Sequence, residues 1–378
     1  MKVAYFGSTS QVHSGASQWM FRMADSMREY GHETLAMLPE DSGIARQYED
    51  SDVETLIMWS EPLRWRRSPL GQVVFLLRSF LAALHLGYLL RRNNIDVFHV
   101  NEIRYPYALV GGWLGGATVV CHVRVNLDSP FVAKTLARFT LLFTTEIYCV
   151  SRKTEEVMFG RFDIDDDRIV VIYDGLPSPE RLDELPQHLS FRSDINVDED
   201  ETLVLSVSKL VHNKGQDRLI RAADAIDADV QIAIVGGSVS GHEGYAEQLE
   251  SLAANRSNVQ LVGFYENAIA AIASCDVFVH LPRHNDPFPG VVLEAQMAGK
   301  PVVGSRSGGI PEQIQDNGTG VLVPKEDAIE EIATTIDALA TDELRRKQMG
   351  KAASTSAFDR FDPQEYFETL EQHYRALP

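Results

Sequence analysis

One pattern restricts this chain more than any other: short β-rich runs alternate with helical segments, in two successive series. "KVAYFG" (2–7), "HETLAML" (32–38), "DVFHV" (96–100), "ATVVCHV" (117–123), "EIYCVS" (146–151) and "RIVVIYDG" (168–175) read as strands, and Gln18 to Tyr30 as a helix closed by Gly31. Strands joined by helical crossovers pair in parallel and need helices on their faces. The pattern lapses over "LPSPERLDELPQHLSFRSDINVDEDE" (176–201), where three prolines and many acids keep no apolar period. That stretch reads as an interdomain linker or an irregular segment beside it. The alternation restarts with "TLVLSVS" (202–208), a helix near 215–225, "VQIAIVGG" (230–237), a helix to about Ala254 and "VQLVGF" (259–264). "DPQEYFETLEQHYRAL" (362–377) is helical, with Asp362 as cap and Pro363 at the first position. Two α/β domains in tandem follow. Open parallel sheets bind ligands beyond the carboxyl ends of their strands, so two such domains are expected to face a cleft that holds a small molecule.

Several functions are disfavoured by composition. The net charge is -19, against the basic surface that nucleic-acid binding needs. Cys121, Cys149 and Cys275 stand singly in apolar runs, without zinc or disulfide spacing. They read as small buried residues in a reducing compartment. "DSD" (50–52), "DIDDD" (163–167) and "DED" (198–200) read as solvated loops, and no metal is expected. "GGWLGG" (111–116) lacks the spacing of a dinucleotide fingerprint and reads as close helix packing. Met1 and Lys2 lead straight into a strand, so a cytoplasmic protein is expected. The apolar segment Pro69 to Leu90 is interrupted by Arg78, and its clean run from Phe80 reads as too short to span a bilayer.

The chemistry concentrates in "PRHNDPFPGVVLEAQMAGKPVVGSRSGGIPE" (282–312). Phe288, Pro289, Gly290 and Val291 lie between a strand and a helix. If the helix starts at Pro289 or Gly290, its unpaired amides, up to Val292, suit a phosphate. Glu294 then stands one turn in, where a carboxylate can accept both hydroxyls of a ribose diol, as in dinucleotide-binding folds. Asp286 precedes the loop, in reach of another hydroxyl. In "SVSKLVHNKGQDRLIRAA" (206–223), Lys209 follows a strand and Lys214 precedes a helix. Both are placed to meet a diphosphate as point charges. Only nine lysines occur in the chain, which sets this pair apart from scattered solvated ones.

These residues resemble the retaining nucleotide-sugar glycosyltransferases of family 4. The resemblance spans almost the whole chain: the first strand, loop and helix ending in "YGHE", then "DVFHV", "IYCVS", "VIYDG", the "K-x4-KG" loop, "IVGG", "CDVFV", the acid-x7-Glu element and "GGIPE". It implies a type B fold of two Rossmann-like domains. The first, over 1–180, would bind the acceptor; the second, over 181–361, the nucleotide sugar; and the helix at 362–378 would return to the first. It places Asp286 and Glu294 on the family's pair of acids, with the first shortened by one methylene. Lys209 and Lys214 fall on its arginine and lysine, Gly236 on its "IVGG" glycine beside the donor, and Pro289 where glycine is common. Gly15 and Ala16 fall on its first glycine-rich loop. His122 falls at a strand end where the family often has a histidine near the transferred sugar; a partly buried strand histidine is the other reading.

The function expected is transfer of a sugar from a nucleoside diphosphate sugar to a hydroxyl, with retained configuration and no cofactor or metal. The acceptor expected is a glycan or a lipid-linked molecule. A sugar-nucleotide epimerase of the same fold and a non-catalytic nucleotide-sugar-binding subunit are the rivals. The segment 62–92 carries Arg64, Arg66, Arg67, Arg78, Arg91 and Arg92, and no acid stands between Glu61 and Asp96. It reads as an amphipathic, arginine-flanked helix that would dock on an anionic membrane surface, or as a helix packed on the first sheet.

Overall fold

The computed structural model describes residues 1–7, 15–39, 43–63, 68–176 and 188–378. It divides into two compact units, Met1–Tyr173 with Gln364–Pro378, and Asp174–Pro363. Arg64, Trp65, Arg66 and Arg67 of the basic segment, the loop before Gly15 and residues 177–187 lie outside the described residues.

The first unit is built on a parallel sheet of strands β1 (Lys2–Phe6), β2 (Glu33–Leu38), β3 (Glu54–Ile57), β4 (Val97–Val100), β5 (Thr118–Val123), β6 (Glu146–Cys149) and β7 (Ile169–Val171), in the order β3-β2-β1-β4-β5-β6-β7. Both faces are covered. Helices Pro69–Arg92, Pro106–Gly115 and Pro130–Phe143 each begin with proline, whose missing N–H costs nothing there. They close one face over Ala4, Phe6, Leu35, Phe98 and Val119. Helix Gly15–Glu29, helix Gly43–Asp50 and the C-terminal helix Pro363–Ala376 cover the other, over Tyr5, Ala36, Val97 and Tyr148.

The glycines at 111–116 do pack helix on helix. A Cβ on Gly111 would stand 2.7 Å from Leu86 Cβ, and one on Gly115 2.8 Å from Leu90 Cβ. Helix Pro69–Arg92 therefore lies hard against its neighbour. It differs from the sequence reading in two ways. Arg78 does not interrupt it, so by length and composition it is long enough to cross a membrane. It is also apolar on its outer side as well as its inner one.

The second unit holds β8 (Thr202–Val207), β9 (Val230–Val235), β10 (Val259–Gly263), β11 (Val277–His280), β12 (Val302–Ser305) and β13 (Gly320–Val323), all parallel, in the order β10-β9-β8-β11-β12-β13. Part of the stretch read as a linker belongs to its core: Phe191, Ile195 and Val197 are buried against Leu203, Leu205 and Phe278. All three cysteines are buried and unbridged.

The C-terminal helix joins the first unit through a buried polar contact. Tyr374 Oη lies 2.5 Å from His99 Nδ1, and neither side chain reaches solvent. Burial, helped by the Arg124 charge, pushes the His99 pKa down to about 3. The folded state thus holds His99 neutral, whereas the unfolded chain binds a proton below about pH 6.5. Stability from this group is complete above that pH and is lost on acidification. Between about pH 6.5 and 5 the loss should reach about 2 kcal/mol. His99→Gln should lower the melting temperature at neutral pH and flatten its fall with acid; an unchanged slope would remove His99 as the cause.

Candidate functional site

The second sheet reverses its winding between β8 and β11, and parallel sheets open a crevice at such a point. The segments leaving these two strands carry the predicted lysines and acids. After β8 the chain passes Lys209 and makes a short 3-10 turn, His212–Lys214, ended by Gly215 at φ +69. A Cβ on Gly215 would fall 2.1 Å from the Leu281 carbonyl oxygen, so the two segments touch backbone to backbone. This contact sets Lys214 beside the segment that follows β11.

Lys214 Nζ donates to Asp286 Oδ2 at 2.5 Å, and His280 Nε2 lies 3.3 Å from the same oxygen. His280 is the last residue of β11 and is fully buried. Burial alone would raise the Asp286 pKa; the Lys214 charge and the His280 hydrogen bond outweigh it and hold the carboxyl well below its usual range. Burial pushes the His280 pKa down, against the pull of Asp286, which favours a neutral ring donating from Nε2. Lys209 is exposed as a residue, yet partial burial of its amine and the nearby Lys214 charge lower its pKa. The two lysines thus concentrate positive charge at the end of β8, part of it balanced by Asp286.

The acid loop is clasped by the turn after β12. Gly309 N donates to the Asp286 carbonyl at 2.9 Å, and Ser307 Oγ to the His284 carbonyl at 3.0 Å. A Cβ on Gly308 would lie 1.9 Å from the Asp286 oxygen, and one on Gly309 2.1 Å from the Pro287 oxygen. Phe288 is buried and meets the Phe361 ring edge-on at 5.5 Å. Pro289 caps helix Gly290–Met297, and its carbonyl is held by Gln313 Nε2 at 3.1 Å. Gly290 is exposed at the helix start, Val291 and Val292 complete its first turn, and Glu294 is half-buried one turn in. Gly236 directly follows β9, where a Cβ would meet the Ser208 carbonyl oxygen at 1.9 Å. It therefore borders the Lys209 segment.

Lys209, Lys214, Asp286, Gly236 and the Phe288–Val292 segment thus follow strand ends of one sheet, and Lys214 and Asp286 are in contact. Gly15, Ala16 and His122 belong to the first unit. Gly15 opens helix Gly15–Glu29, three residues before the expected start. His122 lies inside β5 and is fully buried. Its ring centroid is 5.5 Å from that of His99, and Nε2 has no hydrogen-bond partner among the described residues. Burial first, then Arg124 and His99, push its pKa well below the usual value. Among the described residues no three His, Cys, Asp or Glu side chains group as metal ligands.

Two supports escaped the sequence reading. His280 carries a visible signal, a polar residue closing the apolar run "VFVH" six positions before an acid. Arg218 carries none: it looks like one more arginine on a helix, yet is fully buried. Its guanidinium donates to the carbonyls of Leu281, Pro324 and Glu326 and to Ser305 Oγ.

Gly308→Ala tests the clasp. At φ +59 an alanine is strained, and its methyl would collide with the Asp286 backbone. The variant should lose more than ~1 kcal/mol of stability, read by thermal denaturation. An unchanged melting temperature would show the two loops to be independent.

Comparison with known proteins agrees with this architecture. Residues 13–178 match the model for Glycosyltransferase Family 4, and residues 189–356 that for Glycosyl transferases group 1. A curated relative from Campylobacter jejuni, N,N'-diacetylbacillosaminyl-diphospho-undecaprenol alpha-1,3-N-acetylgalactosaminyltransferase, is 24% identical over 91% of this chain and 92% of its own. An uncharacterized glycosyltransferase of Methanocaldococcus jannaschii is 30% identical over 57% of this chain. A D-inositol 3-phosphate glycosyltransferase of Corynebacterium aurimucosum is 29% identical over 60%. The chain spans about half the length of these last two, 56% of each. Among solved structures, HepE of Anabaena in complex with UDP and glucose superposes with a TM-score of 0.84 at 20% identity, covering all of both chains, a likeness of fold. The two family regions, one in each Rossmann-like unit, make this chain a member of the glycosyltransferases of family 4 and group 1.

Proposed function

We propose that the protein transfers a sugar, with retained anomeric configuration, from a nucleoside diphosphate sugar to a hydroxyl of a glycan or lipid-linked acceptor. The observation that carries this reading is the pairing of Lys214 with Asp286 at the winding reversal of the second sheet, beside Lys209 and the start of helix Gly290–Met297. Cleavage of the donor leaves a nucleoside diphosphate, whose growing negative charge needs fixed positive partners. Lys209, Lys214 and the amides of Gly290 and Val291 supply them; contrary to the sequence expectation the Val292 amide is already taken, donating to the Pro289 carbonyl at 3.1 Å. Glu294 holds the ribose diol. Both contacts of Asp286 fall on Oδ2, which leaves Oδ1 to orient the sugar.

The reading includes no metal, and transfer should survive chelation. Gly15, Ala16 and His122 are assigned to the acceptor side, as the family resemblance implies. The Campylobacter relative is named for a diphospho-undecaprenol acceptor, and HepE was crystallised with UDP and glucose. Both fit this chemistry. A cytoplasmic place and a role in cell-surface glycan synthesis complete the proposal.

Lys214→Ala should abolish transfer and weaken nucleoside diphosphate binding by about 1.5–3 kcal/mol, the worth of a charge-assisted hydrogen bond, with the fold retained. Lys209→Ala should act alike. Calorimetric titration with UDP and GDP reads the loss, and normal binding by both variants would refute the site. Glu294→Gln should impair donor binding, because an amide oxygen and nitrogen cannot together accept from a diol. Asp286→Asn should lower turnover more than binding. Donor consumption without acceptor, yielding an isomerised nucleotide sugar, would point to an epimerase instead.

A further inference from the structure

Helix Pro69–Arg92 has two apolar sides. The inner one, with Phe75, Ala83, Leu86 and Leu90, is buried in the first unit. The outer one is bare: Leu70, Val73, Leu77, Phe80, Leu81 and Leu84 are 47–75% exposed. Their spacing of three and four residues lines them along a single stripe, about 21 Å long at the helical rise. The adjoining helices of the same layer add Trp113, Phe131 and Leu142, 60–75% exposed. An apolar surface so extended marks a binding face, since water contact costs about 25 cal/mol per Å².

Charge identifies the occupant. Helices 69–92, 106–115 and 130–143 contain no Asp or Glu, although the chain carries -19 overall. Arg78 stands beside the stripe; Arg91, Arg92 and Arg138 are exposed in the same layer. A second copy of the chain, related by a two-fold axis, would set these cations against themselves with no acid between. An anionic bilayer offers both an apolar phase and phosphates. The packing of the helix suits lying on such a surface rather than crossing it. Gly87, Gly111 and Gly115 hold it against helix Pro106–Gly115, and crossing would strip its inner side from the core.

We propose that this helical layer docks on an anionic bilayer, with Leu70, Leu77, Phe80, Leu81 and Leu84 entering the acyl boundary and the arginines resting on headgroup phosphates. The inference is independent of the transfer reaction.

The test is co-sedimentation of the full chain with vesicles of phosphatidylglycerol and phosphatidylcholine in equal parts, and of phosphatidylcholine alone, over a salt series. The wild type should pellet with the anionic vesicles and be released by salt. The triple variant Arg78→Ser, Arg91→Ser, Arg92→Ser should bind on the order of a hundredfold less, from about 1 kcal/mol per cation. The pair Leu77→Ser and Phe80→Ser should also lose binding, even at low salt, while circular dichroism and nucleoside diphosphate binding stay at wild-type levels. Failure of the wild type to pellet, pelleting indifferent to these changes, or a dimer in sedimentation velocity that the Leu77→Ser, Phe80→Ser pair dissociates would each overturn the proposal.

Discussion

The candidate site hangs on one buried cation. Arg218 reaches under the carboxyl ends of β11, β12 and β13 and bonds to a backbone or hydroxyl oxygen at or just after the end of each. A guanidinium presents its donors in a rigid plane, so it fixes the relative positions of all the groups it holds. Burying that charge is costly, and its nearest acid, Asp327, is 3.5 Å from Nε and half exposed. The neighbouring Asp217 accepts from both terminal nitrogens of Arg283 and from Tyr245 Oη, which ties the helix after β8 to the segment after β11. Lys214 and Asp286 stand on this framework. Their side chains meet because the main chain beneath them has no freedom to part.

The first unit solves a different problem. Its sheet buries polar groups among aromatics: His99, His122, Tyr148, Tyr5 and Tyr374 gather within ring-contact distance. The C-terminal helix closes this cluster, and its Tyr374 answers His99. Packing there is aromatic and partly polar. The opposite face, under the helices that open with proline, is lined mostly by aliphatic side chains, with Phe6, Phe98, Tyr105 and Tyr107 among them. The sheet thus separates an apolar core that also holds buried histidine rings from one that, among the described residues, lacks them.

Much of this was legible in the residues, and the failures have physical reasons. Runs such as "VFHV" and "TLVLSV" declare themselves because both faces of a central parallel strand are buried. β3 and β13 went unrecognised. β3 is a four-residue edge strand with partly exposed side chains, and β13 is four residues long and opens on a glycine. Helix starts were blurred too, as at Gly15, because glycine and serine before an apolar period read as loop. In the site, Lys209, Lys214, Asp286 and the loop at 288–292 stood out by spacing and charge. Which atoms meet did not. The contact between Gly308 and Asp286 depends on a backbone approach that side-chain chemistry does not announce. His122 illustrates the other limit: a histidine in an apolar strand has the same sequence signature whether it faces ligand or core.

Around the strand ends main chain packs on main chain at Gly215 and Leu281, Gly236 and Ser208, Gly308 and Asp286, and Gly309 and Pro287, where an added Cβ would fall 1.9–2.1 Å from a carbonyl oxygen. A wall assembled this way draws its shape from peptide groups, which every amino acid carries alike. Side chains that project from it are then free to be exchanged without disturbing the frame. Such a scaffold separates holding from choosing. Such a site can change what it prefers by small replacements at the rim, while the glycines that let the strands' ends touch admit almost no replacement at all.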